Sequence, residues 1–162
     1  MPGILFVCTG NTCRSSMAAA IAKHLAAERG LDIPIASAGI AARAGDPATP
    51  AAVEALAAMG IELGDHRARS LEAVMVHSAD TILAMTARHK EYIQHSFPAA
   101  AGKTYTLKEY AGAGGTAGPQ VPPDLDIPDP FGGGPELYRA MARELTELVS
   151  RALEKFQQQN EK

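Results

Sequence analysis

Cysteine is nearly absent from this chain: Cys8 and Cys13 are the only two, with four residues between them. Such a pair cannot supply a four-thiolate zinc or iron–sulfur site, and its spacing fits no closed structural zinc pattern, so no metal ion is expected. A reducing compartment keeps both thiols free, although two cysteines facing each other within one loop could pair on oxidation. Cys13 reads equally well as a small buried residue at a helix start and as reversible protection for Cys8. Long apolar runs are missing too. No stretch reaches about 18 apolar residues, and the N-terminal apolar segment is too short for a signal or an anchor. Membrane association is therefore not expected, and a cytoplasmic location is. The 15 basic residues form no run, and the formal charge is −3 with an isoelectric point near 5.9. Nothing in that balance draws nucleic acid, so any preference for phosphate must be local. No internal repeat is visible.

What the chain does have is an alternation of strand and helix signals over a length of 162 residues, enough for one full core. A single domain over residues 1–156 is expected, with residues 157–162 as a fraying tail. Ile4-Leu5-Phe6-Val7 is a short apolar run that reads as a buried strand. Met17 to Glu28 carries Met17, Ile21, His24 and Leu25 at helical spacing and ends at Gly30, a good residue to close a helix. Ile33 to Gly39 reads as a second strand, which makes a βαβ crossover. Thr49-Pro50 opens a helix to about Met59-Gly60, and Ser70 to Val76 reads as a short one. Thr81 to Met85 is a third strand, Arg88 to Phe97 a helix and Lys103 to Leu107 a fourth strand. Pro135 to Phe156 closes the set with an apolar stripe of Leu137, Met141, Leu145, Leu148, Leu153 and Phe156. Repeated β-then-α order predicts an α/β fold. Between Ala111 and Gly134 nothing is periodic, and a long loop of this kind in a compact domain is usually functional.

The chemistry concentrates in Cys8-Thr9-Gly10-Asn11-Thr12-Cys13-Arg14-Ser15, which joins the first strand to the first helix. The first amides of a helix lack internal partners and point outward, and the macrodipole adds positive charge, so a phosphate fits there. The same field, with the Arg14 cation, favours a thiolate at Cys8 over its thiol. Gly10 and Asn11 tolerate the positive φ that a loop needs to turn its amides inward. Ser15 can donate its hydroxyl to the sulfur. Cys8 is thus the candidate nucleophile, and the planar fork of Arg14 can hold two phosphate oxygens as the transition state flattens. The amides of Thr9, Gly10, Asn11, Thr12, Cys13 and Arg14 complete a cradle that needs no cofactor. A leaving group needs a proton, and Asp124, Asp126 and Asp129 all lie on the long loop. Spacing does not choose among them.

Written out as VCTGNTCRS, this stretch is the Cys-x5-Arg-Ser signature and resembles the low-molecular-weight protein tyrosine phosphatase family. GNTCRS, LAMT, TLKEY and LDIPDPFGG look like its protein arginine phosphatase branch, and the similarity covers nearly the whole chain. The resemblance implies a three-layer α/β/α domain around a central four-stranded parallel sheet. It also implies a phosphatase acting on phosphorylated protein substrates through a phosphocysteine; a monomer is expected. Asp129-Pro130-Phe131 matches the family's Asp-Pro-aromatic motif, which gives Asp129 the general acid and base role and makes Phe131 a wall of the substrate slot. Ser37 and His66 match positions that hydrogen-bond the loop asparagine, whereas His24, His77, His89 and His95 read as helix-face residues. Thr12 stands where tyrosine-specific relatives usually carry a larger aliphatic side chain, so phosphoarginine is the expected preference and phosphotyrosine the alternative. Those relatives often have an aspartate where this chain has Thr86. Arsenate reductases share the fold and the loop but need further cysteines downstream, and none follows Cys13.

Overall fold

A computed structural model describes residues 3–113 and 124–161, so the middle of the glycine- and proline-rich stretch lies outside the described residues. Four strands, β1 (Ile4–Cys8), β2 (Ile35–Gly39), β3 (Thr81–Ala84) and β4 (Thr104–Thr106), form one parallel sheet in the order β2-β1-β3-β4. The helices between and after them are α1 (Arg14–Glu28), α2 (Pro50–Ala57), α3 (Ala73–Ser78), α4 (Ala87–Ser96), α5 (Leu107–Tyr110) and α6 (Pro135–Asn160). A 3-10 turn over Pro98–Lys103 leads from α4 into β4.

β1 shows why the sheet is central. Its side chains alternate with the pleat: Ile4, Phe6 and Cys8 pack with α1, α2, α5 and α6, while Leu5 and Val7 pack with α3 and α4. All five are buried. A strand covered on both faces carries an unbroken apolar run, which is what Ile4 to Val7 shows. The result is the three-layer, single-domain architecture implied by the sequence. Parallel register puts Cys8 beside Gly39 and Val7 beside Ala84, so the turns after β1, β2 and β3 gather at one edge.

Several boundaries differ from the sequence expectation for identifiable reasons. α1 begins at Arg14, within the loop signature itself. β2 begins at Ile35, while the preceding Pro34 supplies its carbonyl to the Ile4 amide at 2.9 Å. The short helix is shifted to Ala73–Ser78 because Arg69 and Leu71 bond to both sides of Gly39 and continue the edge of β2. α6 runs beyond Phe156 to Asn160, whose Nδ2 donates to the Phe156 carbonyl at 2.8 Å. The Tyr110 hydroxyl, at 2.7 Å from Gln159 Oε1, holds the same turn. Leu137 is 50% exposed, and Tyr138 takes its place in the core, because the buried row through Ala142, Leu145 and Val149 meets position 138, four residues before Ala142.

Phe6 is fully buried between β1 and the helices of one layer. Phe6→Ala is predicted to lower the free energy of unfolding in urea by about 3 to 5 kcal/mol, against under about 1 kcal/mol for Leu137→Ala.

Candidate active site

Cys8 ends β1 and Arg14 begins α1, so the intervening loop crosses the edge where the three turns gather. Cys8 is buried, with Ser15 Oγ 2.9 Å from its Sγ and the Asn11 amide donating to the same sulfur at 3.3 Å. That amide points inward because Asn11 has φ of 59°, the one non-glycine positive φ among the described residues. Asparagine tolerates this left-handed conformation better than most side chains do. Four contacts hold it there. Nδ2 donates to Ser15 Oγ and Ser37 Oγ, both at 2.9 Å, and Oδ1 accepts from the Arg69 amide at 2.9 Å. The Asn11 carbonyl lies 2.6 Å from His66 Nε2, so His66 reaches the loop through the backbone. Burial, with help from the Lys23 and Arg67 cations, holds the His66 pKa below its ordinary value. A neutral ring donating from Nε2 suits that carbonyl.

The rest of the loop is tied down in the same way. Ala41 donates its amide to the Thr9 carbonyl at 2.9 Å, and Thr49 donates to the Thr12 carbonyl at 3.0 Å. The loop lies so close on β2 that a Cβ at Gly39 would meet the Thr9 carbonyl oxygen at 2.5 Å and the Asn11 nitrogen at 3.1 Å. Only glycine fits there, which nothing in the sequence had marked. Gly10 and Thr12 are partly exposed, and Thr9 stands on the outer lip. Cys13 is buried, and that burial, followed by the nearby Cys8, pushes its thiol up to about 11. Both cysteines are free.

Arg14 is 6% exposed. Its Nη1 donates to the Ile127 carbonyl at 3.1 Å, its Nη2 is 3.8 Å from Asp129 Oδ2, and its Nε is buried without a protein partner. Ile127 is held in turn by its own amide, which donates to the Met85 carbonyl at the end of β3. The three loop carboxylates separate here. Asp126 Oδ1 accepts from the Ala87 amide at the start of α4, and Asp124 pairs with Lys108 at 3.6 Å. Asp129 faces Arg14, and its Oδ1 accepts from the Phe131 amide at 3.0 Å; Phe131 itself is 81% exposed. Among the described residues no three His, Cys, Asp or Glu side chains gather as a metal site, and no helix is long and apolar enough to cross a membrane.

The sequence presents His89 as a helix-face residue, whereas the fold encloses it beside the loop. It is 4% exposed, with Nε2 2.8 Å from Thr9 Oγ1 and Nδ1 buried without a partner. Burial first, and then the Arg14 guanidinium, bring its pKa down to about 4, against the opposing pull of Asp126 and Asp129. The signal was available: His89 lies four residues before the core residue Ile93 on α4, hence on the same face.

The family model for low molecular weight phosphotyrosine protein phosphatase matches residues 3–162. The chain belongs to this family. Within it, the protein-arginine-phosphatase of Bacillus subtilis strain 168 is 44% identical over 146 residues, covering 90% of this chain and 91% of that one. The protein-arginine-phosphatase of Geobacillus stearothermophilus is 44% identical over 154 residues, 95% of each chain. Among solved structures, a mutant of YwlE arginine phosphatase with a phosphorylated active-site serine has a TM-score of 0.88 at 40% identity, covering 98% of both chains. A low molecular weight protein tyrosine phosphatase from T. tengcongensis has a TM-score of 0.87 at 39% identity, covering 96% of this chain and 99% of that one.

The depressed His89 pKa carries a consequence for stability. The unfolded chain takes up a proton at this histidine below about pH 6.5, while the folded chain does not until about 4, so stability is full above 6.5 and declines as pH falls. Between pH 7 and 5 the loss from this group is about 2 kcal/mol. Urea unfolding at a series of pH values should show a shallower acid slope for His89→Asn than for the parent.

Proposed function

We propose that this chain is a cysteine-dependent protein phosphatase that prefers phosphoarginine, working through a phosphocysteine. The observation that carries the proposal is the state of Arg14: buried, anchored to Ile127 through one nitrogen, adjacent to Asp129 through another, with Nε unused by the protein. A phosphate oxygen satisfies that donor, and the guanidinium fork together with the inward amides neutralises the phosphoryl group as it flattens.

In the first step the Cys8 sulfur forms a bond to phosphorus, and the bond from phosphorus to the substrate guanidine nitrogen breaks. Asp129 gives that nitrogen its proton. In the second step the ionised Asp129 takes a proton from water, the resulting oxygen bonds to phosphorus, and the phosphorus–sulfur bond breaks, releasing inorganic phosphate and the Cys8 thiolate. Ser15, at 2.9 Å from the sulfur, donates to that thiolate. Positioning and charge neutralisation come from the loop, Arg14 and Asp129, so no cofactor enters the scheme. The nucleophile requires free sulfur, which supports a reducing, cytoplasmic setting. Phosphorylated proteins are the substrates, and the chain acts as a monomer.

Thr12 supports the choice of phosphoarginine: a small polar wall, together with the carboxylate of Asp129, suits a planar, hydrogen-bonding guanidinium better than an aliphatic wall does. Two 44% identical relatives carry the name protein-arginine-phosphatase. Phosphotyrosine is the second reading, favoured by one feature, the aromatic wall of Phe131 standing open to solvent.

Catalytic efficiency on phosphoarginine and phosphotyrosine peptides separates the two. Thr12→Ile should lower the phosphoarginine to phosphotyrosine ratio by about tenfold or more; an unchanged ratio removes the specificity argument. Cys8→Ser should keep phosphate binding while turnover falls below detection. Asp129→Ala should slow turnover and flatten the alkaline limb of the pH profile. If Asp126→Ala does so instead, the acid is misassigned.

A further inference from the structure

The loop that cradles the sulfur is held unevenly. Asn11 is tied to Ser37, His66 and Arg69, Thr9 to Ala41, and Thr12 to Thr49, and every one of these partners lies in residues 37–69, on the β2 side of β1. On the opposite side, beyond β3, one side chain among the described residues bonds to residues 9–13: His89, through Thr9 Oγ1 at 2.8 Å. It stands in the first turn of α4, whose start is fixed by Thr86 Oγ1 accepting the His89 amide at 3.1 Å and by Asp126 Oδ1 accepting the Ala87 amide at 2.8 Å. The imidazole is therefore held by rigid elements rather than free to follow the loop.

A filler role explains this histidine poorly. An apolar side chain of similar size would occupy the same enclosed space without leaving a buried nitrogen, Nδ1, unsatisfied. What an apolar residue would lose is the bond to Thr9. We infer that His89 is a positioning residue of the phosphate cradle: by holding the Thr9 hydroxyl from the β3–α4 side, it sets the loop's first residue against the pull of the β2 side and keeps its amides aimed at the anion. Its depressed pKa fits this task. A neutral ring grips Thr9 without placing a second cation beside Arg14, which would draw Asp129 and the anion away from that arginine.

This inference rests on the phosphatase proposal, and its test separates the two. The affinity for inorganic phosphate and the values of kcat and KM on a phosphoarginine peptide are measured for the parent, His89→Ala, His89→Gln, Thr9→Val and the pair His89→Ala with Thr9→Val. Thermal unfolding of each variant is measured alongside. Thr9→Val removes the same bond from the other side without opening a cavity, so it stands even where His89→Ala is poorly folded. His89→Ala and Thr9→Val should each weaken phosphate binding and kcat/KM by about fivefold, the factor an ordinary hydrogen bond is worth. The double variant should be no worse than the weaker single one, and His89→Gln, whose amide can reach Thr9, should recover most of the loss. Folded single variants with parental phosphate affinity, or losses that multiply in the double variant, overturn the inference. A parent that hydrolyses neither phosphoarginine nor phosphotyrosine overturns the phosphatase proposal instead.

Discussion

One backbone conformation governs the site: the left-handed turn at Asn11 that aims its amide at the Cys8 sulfur. A non-glycine residue in that conformation costs about 1 to 2 kcal/mol, and the loop would relax if nothing opposed it. What opposes it is a set of bonds to Ser15, Ser37, His66 and Arg69 that engage both polar atoms of the asparagine side chain and its carbonyl. These partners come from three stretches of the sequence, the start of α1, β2 and residues 66–69, and the sheet order explains how they meet. β1 lies between β2 and β3, so the turn after it is flanked on one side by the end of β2 and the segment to Arg69, and on the other by the end of β3 and α4.

The same arrangement sorts the charges. Two histidines touch the loop, yet burial lowers the pKa of each, so they serve as neutral hydrogen-bonding groups. Arg14 is left as the cation of the cradle, with Asp129 its facing carboxylate. Cys13, buried beside Cys8, is held as a thiol. The proposed chemistry needs this division: one ionised sulfur, one fixed cation and one carboxylate that moves a proton, with the two histidines that touch the loop neutral.

Much of this was legible in the sequence where a local pattern carried it. The unbroken run Ile4 to Val7 told of a strand buried on both faces, and the spacing of Met141, Leu145 and Leu148 told of the last helix. The loop signature drew attention to Cys8, Asn11 and Arg14 because each residue type has its own reason to be there. What stayed hidden was long-range. Spacing did not choose between Asp126 and Asp129, and it was the resemblance of Asp129-Pro130-Phe131 that pointed to Asp129; the docking of Ile127 on Met85 is what sets Asp126 at the start of α4 and Asp129 opposite Arg14. Gly39 looked like the end of a strand, yet its missing Cβ is what lets the loop lie on β2. His89 had the helical phase of a core residue but the chemistry of a surface one. Its partner, eighty residues away, decides the matter.

The central proposal is that Cys8, held in this ring of inward amides, takes up the phosphoryl group. The most direct measurement is mass spectrometry of the protein quenched in the first turnovers with a phosphoarginine peptide. A phosphoryl adduct on the segment that contains Cys8, absent in Cys8→Ala, is the predicted result. Steady hydrolysis with no adduct there, or an adduct carried by a histidine instead, would contradict it.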